Sequence, residues 1–181
     1  PAVRIIHQVS VGAAALAVAT DGTFAYVGTR RGEVVLVDLA SGQLVSSVSV
    51  GEEVRDLAFS GDYLFVLTLN QLFILEYLDG SLDQVSSIRS PYPGFDENMR
   101  LFVGGGIAYA AHGEGYNTFD VTSPGAPRMI AAGNTAQLGW KQIVVNGSGL
   151  GLAAVGANPR LDGAQDVSLY DVSNPANTRA L

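Results

Sequence analysis

The chain contains no cysteine among its 181 residues. That absence removes disulfides, thiolate catalysis and zinc–thiolate centres together, and it leaves the redox compartment open. Lysine is almost missing too: Lys141 stands alone beside nine arginines, against 17 acidic residues. The resulting net charge of −7, with a pI near 4.6, repels phosphate backbones, so no nucleic-acid partner is expected. Long apolar runs are absent as well. The longest mostly apolar stretch, "YLFVLTLNQLFILEYL" (63–78), is split by Asn70 and Gln71 into two strand-length halves, so no transmembrane helix is expected. The opening "PAVRIIHQVSVG" has neither an initiator Met nor a signal-peptide pattern, and the chain reads as an excised or processed piece of something longer.

What is present is apolar residue and glycine: 48% hydrophobic, 15% charged and 22 glycines. A chain of that kind can bury a sizeable core, and it favours turn-rich β-structure over long solvated helices. Four apolar segments share a character: "FAYVGT" (24–29), "LFVLTL" (64–69), "IAYAAHG" (107–113) and "GLAAVGA" (151–157). With Tyr26, Phe65, Tyr109 and Leu152 taken as equivalent, they are spaced by 39, 44 and 43 residues. Each is followed by a second strand-like run, "EVVLVDL", "QLFILEY", "YNTFDV" or "VSLYDV", and preceded by another, "AALAVAT", "VRDLAFS", "MRLFVGG" or "KQIVVNG". After the first three pairs comes a more polar run, "LVSSVSV", "QVSSIRS" or "RMIAAG". Each unit is therefore four short strands, a to d, joined by Gly, Asp-Gly, Ser-Gly or Pro turns.

Such a period with four strands per unit predicts an all-β fold, a β-propeller with about four four-stranded blades in this chain. The blades fall near 11–50, 51–90, 94–133 and 134–181. Residues 3–9, "VRIIHQV", read as an outer strand of a preceding or closing blade. At the other end "NTRAL" begins a d strand. We take the chain as a window on a larger, for example seven-bladed, propeller; closure of four blades on themselves is the alternative.

The third and fourth units, "AYAAHGEGYNTFDVTSPGAPRMIAAG" and "LAAVGANPRLDGAQDVSLYDVSNPANTRAL", resemble the LVIVD repeat of bacterial and archaeal propellers: a Y-V-A strand, a Gly-containing turn, a strand ending in D-V-S, then P-x-x-P. Thr178 stands where the second Pro belongs. Unit one, "VVLVDLASGQLVSSVSV", is instead similar to the turn of quinone-type and YVTN-type propeller repeats, without the tryptophan usual in the former. Unit two, with Glu76 for Asp and "LDGS" for the turn, is the most divergent. The resemblance implies a propeller, often secreted or on the cell surface and joined to other modules; it implies no particular reaction.

Asp38, Glu76, Asp120 and Asp171 hold equivalent places at the ends of the c segments. A short Asp there accepts hydrogen bonds from backbone N–H groups just beyond it and fixes the turn, and recurrence in unit after unit is what a turn device predicts. Glu76, one methylene longer, suits that task less, so "DGS" (79–81) is expected to hold its turn. His7 and His112 make no metal motif. A His112–Glu114 dyad is conceivable, but a satisfied or solvent-facing histidine is the plainer reading. "NGSGLG" (146–151) only superficially resembles a nucleophile elbow and reads as a hairpin turn. "VGGGIA" (103–108) lacks the Lys and helix of a phosphate loop.

In a four-stranded blade the d–a and b–c connections share one end of the sheets, and a–b and c–d share the other. The longer segments at 90–99, 133–140 and 156–166 belong to the d–a/b–c end, where binding usually resides on a rigid scaffold. They bring Tyr92, Phe95, Asp96, Glu97, Asn98, Trp140, Arg160, Asp162 and Asp166 towards one surface, although Trp140 equally suits the first core position of an a strand. The expectation is a non-catalytic interaction module, extracellular or on a bacterial cell surface, meeting a protein or glycan partner with no cofactor and no metal. The alternative is part of a propeller enzyme, a quinone-type dehydrogenase or a hydrolase, whose active site lies largely in missing blades.

Overall fold

In the computed structural model, residues 4–91, 99–112, 115–134, 140–145, 148–155 and 166–181 are described. Among them every regular element is a strand, and the strands form four antiparallel sheets of four. The first sheet holds β1 (Ala15–Thr20), β2 (Phe24–Thr29), β3 (Glu33–Asp38) and β4 (Leu44–Ser49); the second holds β5 (Asp56–Ser60), β6 (Tyr63–Leu67), β7 (Gln71–Leu78) and β8 (Ser81–Arg89). The third contains β9 (Arg100–Gly104), β10 (Ile107–His112), β11 (Gly115–Asp120) and β12 (Arg128–Asn134). The fourth contains β13 (Trp140–Val145), β14 (Leu150–Val155), β15 (Asp166–Asp171) and β16 (Arg179–Ala180). In every sheet the spatial order is the chain order, the up-and-down meander of a propeller blade.

Blades pack in sequence, with β1 against β5, β5 against β9 and β9 against β13, so the a strands line the inside of the arc. The second blade is covered on both faces, which is why β6 and β7 read as continuous apolar runs. Leu64, Val66, Phe73 and Leu75 join the core shared with the first blade, while Phe65, Leu67, Leu72 and Ile74 join that shared with the third. On the first sheet Leu16 and Val18 face away from the second blade and are exposed. On the fourth, Val144, Leu152, Val167 and Leu169 are likewise exposed.

At the first interface Gly28 lets the following linker come close: a Cβ there would sit 2.3 Å from Val54 Cγ1. Two aromatic pairs meet edge-on beside it, Tyr26 with Phe59 (centroids 4.7 Å apart, 73°) and Phe24 with Tyr77 (5.1 Å, 62°). The Tyr26 hydroxyl, carried to the a–b end, donates to Asp21 Oδ2 (3.0 Å), and Asp21 Oδ1 also accepts from the Thr23 and Phe24 amides.

Residues 4–9, most of the segment read from sequence as an outer strand of a preceding or closing blade, pair with no strand among the described residues. The c strands β3, β7 and β11 each already carry a d strand along their outer edge, so no free ladder awaits the segment there. It lies instead beside Val37 and the β3–β4 turn, where His7 donates from Nε2 to the Ala40 carbonyl (3.0 Å). Ile5 and Ile6 remain exposed.

Candidate functional site

The d–a/b–c end is built on strand termini that are firmly tied together. In the first two blades the b–c turn is closed by a threonine. Thr29 Oγ1 accepts from the Glu33 amide and donates to its carbonyl, and Thr68 Oγ1 likewise accepts from the Gln71 amide. At the equivalent place in the third blade stands His112, 3% exposed. The linkers between blades are pinned to the blade they enter. Glu52 Oε2 accepts from Thr68 Oγ1 (2.7 Å) and from the Asn70 amide. Asn117 Nδ2 donates to Ser90 Oγ and to the Pro91 carbonyl (2.8 Å).

Asp56 crosses between blades at the same end, accepting from the Leu101 amide through Oδ2 (2.8 Å) and from the Leu57 amide through Oδ1. Burial raises its pKa, against the opposing pull of the Leu101 and Leu57 amides and the nearby Arg100 charge. A perturbed carboxyl is a catalytic candidate in general; both oxygens of this one are engaged by backbone, which makes it a strut between a strands. Arg55 pairs with Glu53 (3.2 Å), while Arg30, Arg31, Arg89 and Arg100 are exposed on or beside the b–c and d–a connections. Among the described residues no cluster of three His, Asp or Glu side chains is placed to hold a metal ion.

Of the residues expected to face a partner, Trp140 opens β13 and Asp166 opens β15. Both pair with Val155, so the three share one register row at this end of the fourth sheet. Tyr92, Phe95, Asp96, Glu97, Asn98, Arg160 and Asp162 lie outside the described residues, as does Glu114, the suggested companion of His112.

At the opposite end stand the c-terminal acids. Asp120 Oδ1 accepts from the Thr122 amide (3.0 Å) and hydroxyl (2.6 Å), and Asp171 Oδ1 accepts from the Ser173 amide (3.0 Å) and hydroxyl (2.6 Å). Asp38 reaches one residue further, to the Ser41 amide and hydroxyl, because "DLASG" turns more widely than "DVTSP" or "DVSNP". These hydroxyls, then the amides, hold all three carboxyls below the usual range, and Arg179 adds to the effect at Asp171. In the second blade the hairpin closes directly on Asp79 (φ 52) and Gly80 (φ 87), a two-residue turn with both φ positive.

The LVIVD repeat profile matches residues 12–48 and 51–76, the first blade and the second as far as β7. That match falls on the units whose turns look quinone-like and divergent, while the D-V-S/T signature itself is plainest in the third and fourth. The first two share a three-residue b–c connection; in the others it is two and ten residues long. No curated protein matches the sequence. Among solved structures, the chain is similar to the computationally designed Ika4 protein, at 13% identity over 95% of this chain and 100% of that one (TM-score 0.68). It also resembles a protein from Lactobacillus plantarum, at 16% identity over 92% of this chain and 54% of that one (TM-score 0.67). The WD40 domain of Toxoplasma gondii coronin is similar at 15% identity over 88% of this chain and 42% of that one (TM-score 0.59). At such identities the likeness is one of fold. The chain spans about half the length of the Lactobacillus plantarum protein it matches.

Proposed function

Taking as premise that the chain is a β-propeller carrying LVIVD repeats, we propose that it is a non-catalytic interaction module, part of a secreted or cell-surface bacterial protein. Its d–a/b–c end meets a protein or glycan partner. One observation carries this reading: both ten-residue connections, 90–99 and 156–165, leave the sheets at that end. Side-chain struts from Glu52 and Asn117 hold the linkers there against the blades. Long connections carried on a rigid frame are where binding side chains usually reside. Sequence supplies the chemistry: Tyr92, Phe95 and Trp140 offer apolar rings, and Asp96, Arg160, Asp162 and Asp166 offer charge beside them.

The test is a glycan array and a protein-ligand panel probed with the intact chain. Any binder found is then titrated against a Tyr92→Ser/Phe95→Ser/Asp96→Asn variant and an Arg160→Ala/Asp162→Asn variant. Loss of binding in either, with retention in Asp120→Asn at the opposite end, supports the reading. Binding that survives both and fails only in Asp120→Asn places the interaction elsewhere.

A further inference from the structure

The interface between the third and fourth blades repeats the first interface with its aromatic filling taken out. Tyr109 occupies the place of Tyr26, facing the next blade from the middle of a b strand, and is 2% exposed. Around it, register equates Ile107 with Phe24, Val145 with Phe59 and Val172 with Tyr77. Three rings of the first interface are thus aliphatic side chains in the last. Phe102, where the first blade has Ala19, fills some of the space. A cleft of ≈ 270 Å³ is left at the a–b/c–d end, lined by Ile107, Tyr109, Val145, Val172 and Pro175 with glycine backbone from the two a–b turns.

The polar partner has gone with the rings. Gly104 holds the position of Asp21, so the acceptor that satisfies Tyr26 does not exist for Tyr109. Among the described residues the Tyr109 hydroxyl makes no hydrogen bond, while the neighbouring Tyr116 and Thr118 do, to Thr178 and to the Pro175 carbonyl. Burial, with Tyr116 close by, raises the Tyr109 pKa to about 12, so the group stays a donor at any ordinary pH. The hydroxyl opens on the cleft, so an incoming acceptor would take the place of solvent there.

We propose that this cleft binds a small, neutral molecule combining one flat apolar ring with one carbonyl-type acceptor, the ring taking the place that Phe59 fills in the first interface and the acceptor taking the hydrogen bond from Tyr109. The thickness is right for a single ring, since stacked sheets lie about 10 Å apart and an aromatic side chain spans that gap at the first interface. Neutrality follows from the lining, which among the described residues carries no ionisable group besides the tyrosine. Ser173, also at the cleft, spends its proton on Asp171 Oδ1, so Tyr109 is the donor on offer. Anions are further disfavoured by the net charge of −7.

Acetophenone is a suitable probe, titrated into the 15N-labelled chain and followed by amide shifts. Saturable shifts at Val145, Gly149 and Val172, with none at Phe24 or Phe59, are expected. Tyr109→Phe should weaken acetophenone about three- to tenfold, the worth of one hydrogen bond, and leave ethylbenzene, which has no acceptor, unchanged. Val145→Phe, which rebuilds the missing ring, should abolish binding of both; Ile107→Phe does the same from the neighbouring strand and guards against misfolding of the first variant. The proposal is overturned if acetophenone produces no saturable shift at the cleft, if either filled variant binds as the parent does, or if Tyr109→Phe leaves its affinity unchanged.

Discussion

The first and last blade interfaces are built on the same ladder and end in different states. Between the first and second blades, Phe59 meets Tyr26 and Phe24 meets Tyr77 edge to face, and Asp21 accepts the hydrogen bond of the Tyr26 hydroxyl. Between the third and fourth, Ile107, Val145 and Val172 leave a cleft, Tyr116 and Thr118 replace Val34 and Leu36 with groups that hydrogen-bond across the gap, and Tyr109 has no acceptor among the described residues. A repeat fold tolerates this because each interface is stabilised largely by its own contacts, so one joint can be loosened without loosening the next. Stability and recognition can then be divided among joints of a single scaffold.

The largest expected effect comes from making the first interface resemble the last. Phe59→Val should cost about 2 kcal/mol, part transfer energy and part cavity, read as a lower midpoint in urea at unchanged slope. The mirror change, Val145→Phe, should gain about 1 kcal/mol by filling the cleft; a loss of similar size would mean that the space is not there. Asp21→Ala should cost about 1 kcal/mol, since it removes the acceptor of the Tyr26 hydroxyl and frees the Thr23 and Phe24 amides. A marked drop in Tyr26 shielding from exchange, with no change at Tyr109, would confirm where the effect lies.

Smallest is an acid effect at the turns. Asp38, Asp120 and Asp171 have folded pKa values below the ordinary 3.8. Their contribution is complete above that value and is lost as pH falls through the lower folded ones. Asp56, raised by burial, works the other way: it gains its proton first in the folded state, so ionising it opposes folding as pH rises. An Asp120→Asn/Asp171→Asn variant should therefore show a smaller fall in Tm between about pH 6 and about pH 3 than the parent. An identical fall would remove these turns from the acid response.

Local pattern carried most of the fold. The spacing of Tyr26, Phe65, Tyr109 and Leu152 laid out four blades of four strands, because strand alternation and Gly or Asp-Gly turns are local matters. The segment "VRIIHQV" (3–9) has strand character, but a strand needs a partner edge, and no local pattern reports which edge that is. The cleft was hidden in the same way. Tyr26 and Tyr109 look alike in their own units, and what separates them is Asp21 against Gly104 across a hairpin and Phe59 and Tyr77 against Val145 and Val172 contributed by the next unit. The equivalences could have been read from the aligned repeat; which face each residue presents to which blade required the structure.

The difference between the two interfaces can be observed directly with xenon, which settles into apolar cavities. In crystals of the chain pressurised with the gas, xenon density is expected between Tyr109, Val145 and Val172 and none beside Tyr26 and Phe59. Density at both interfaces, or at neither, would contradict the account.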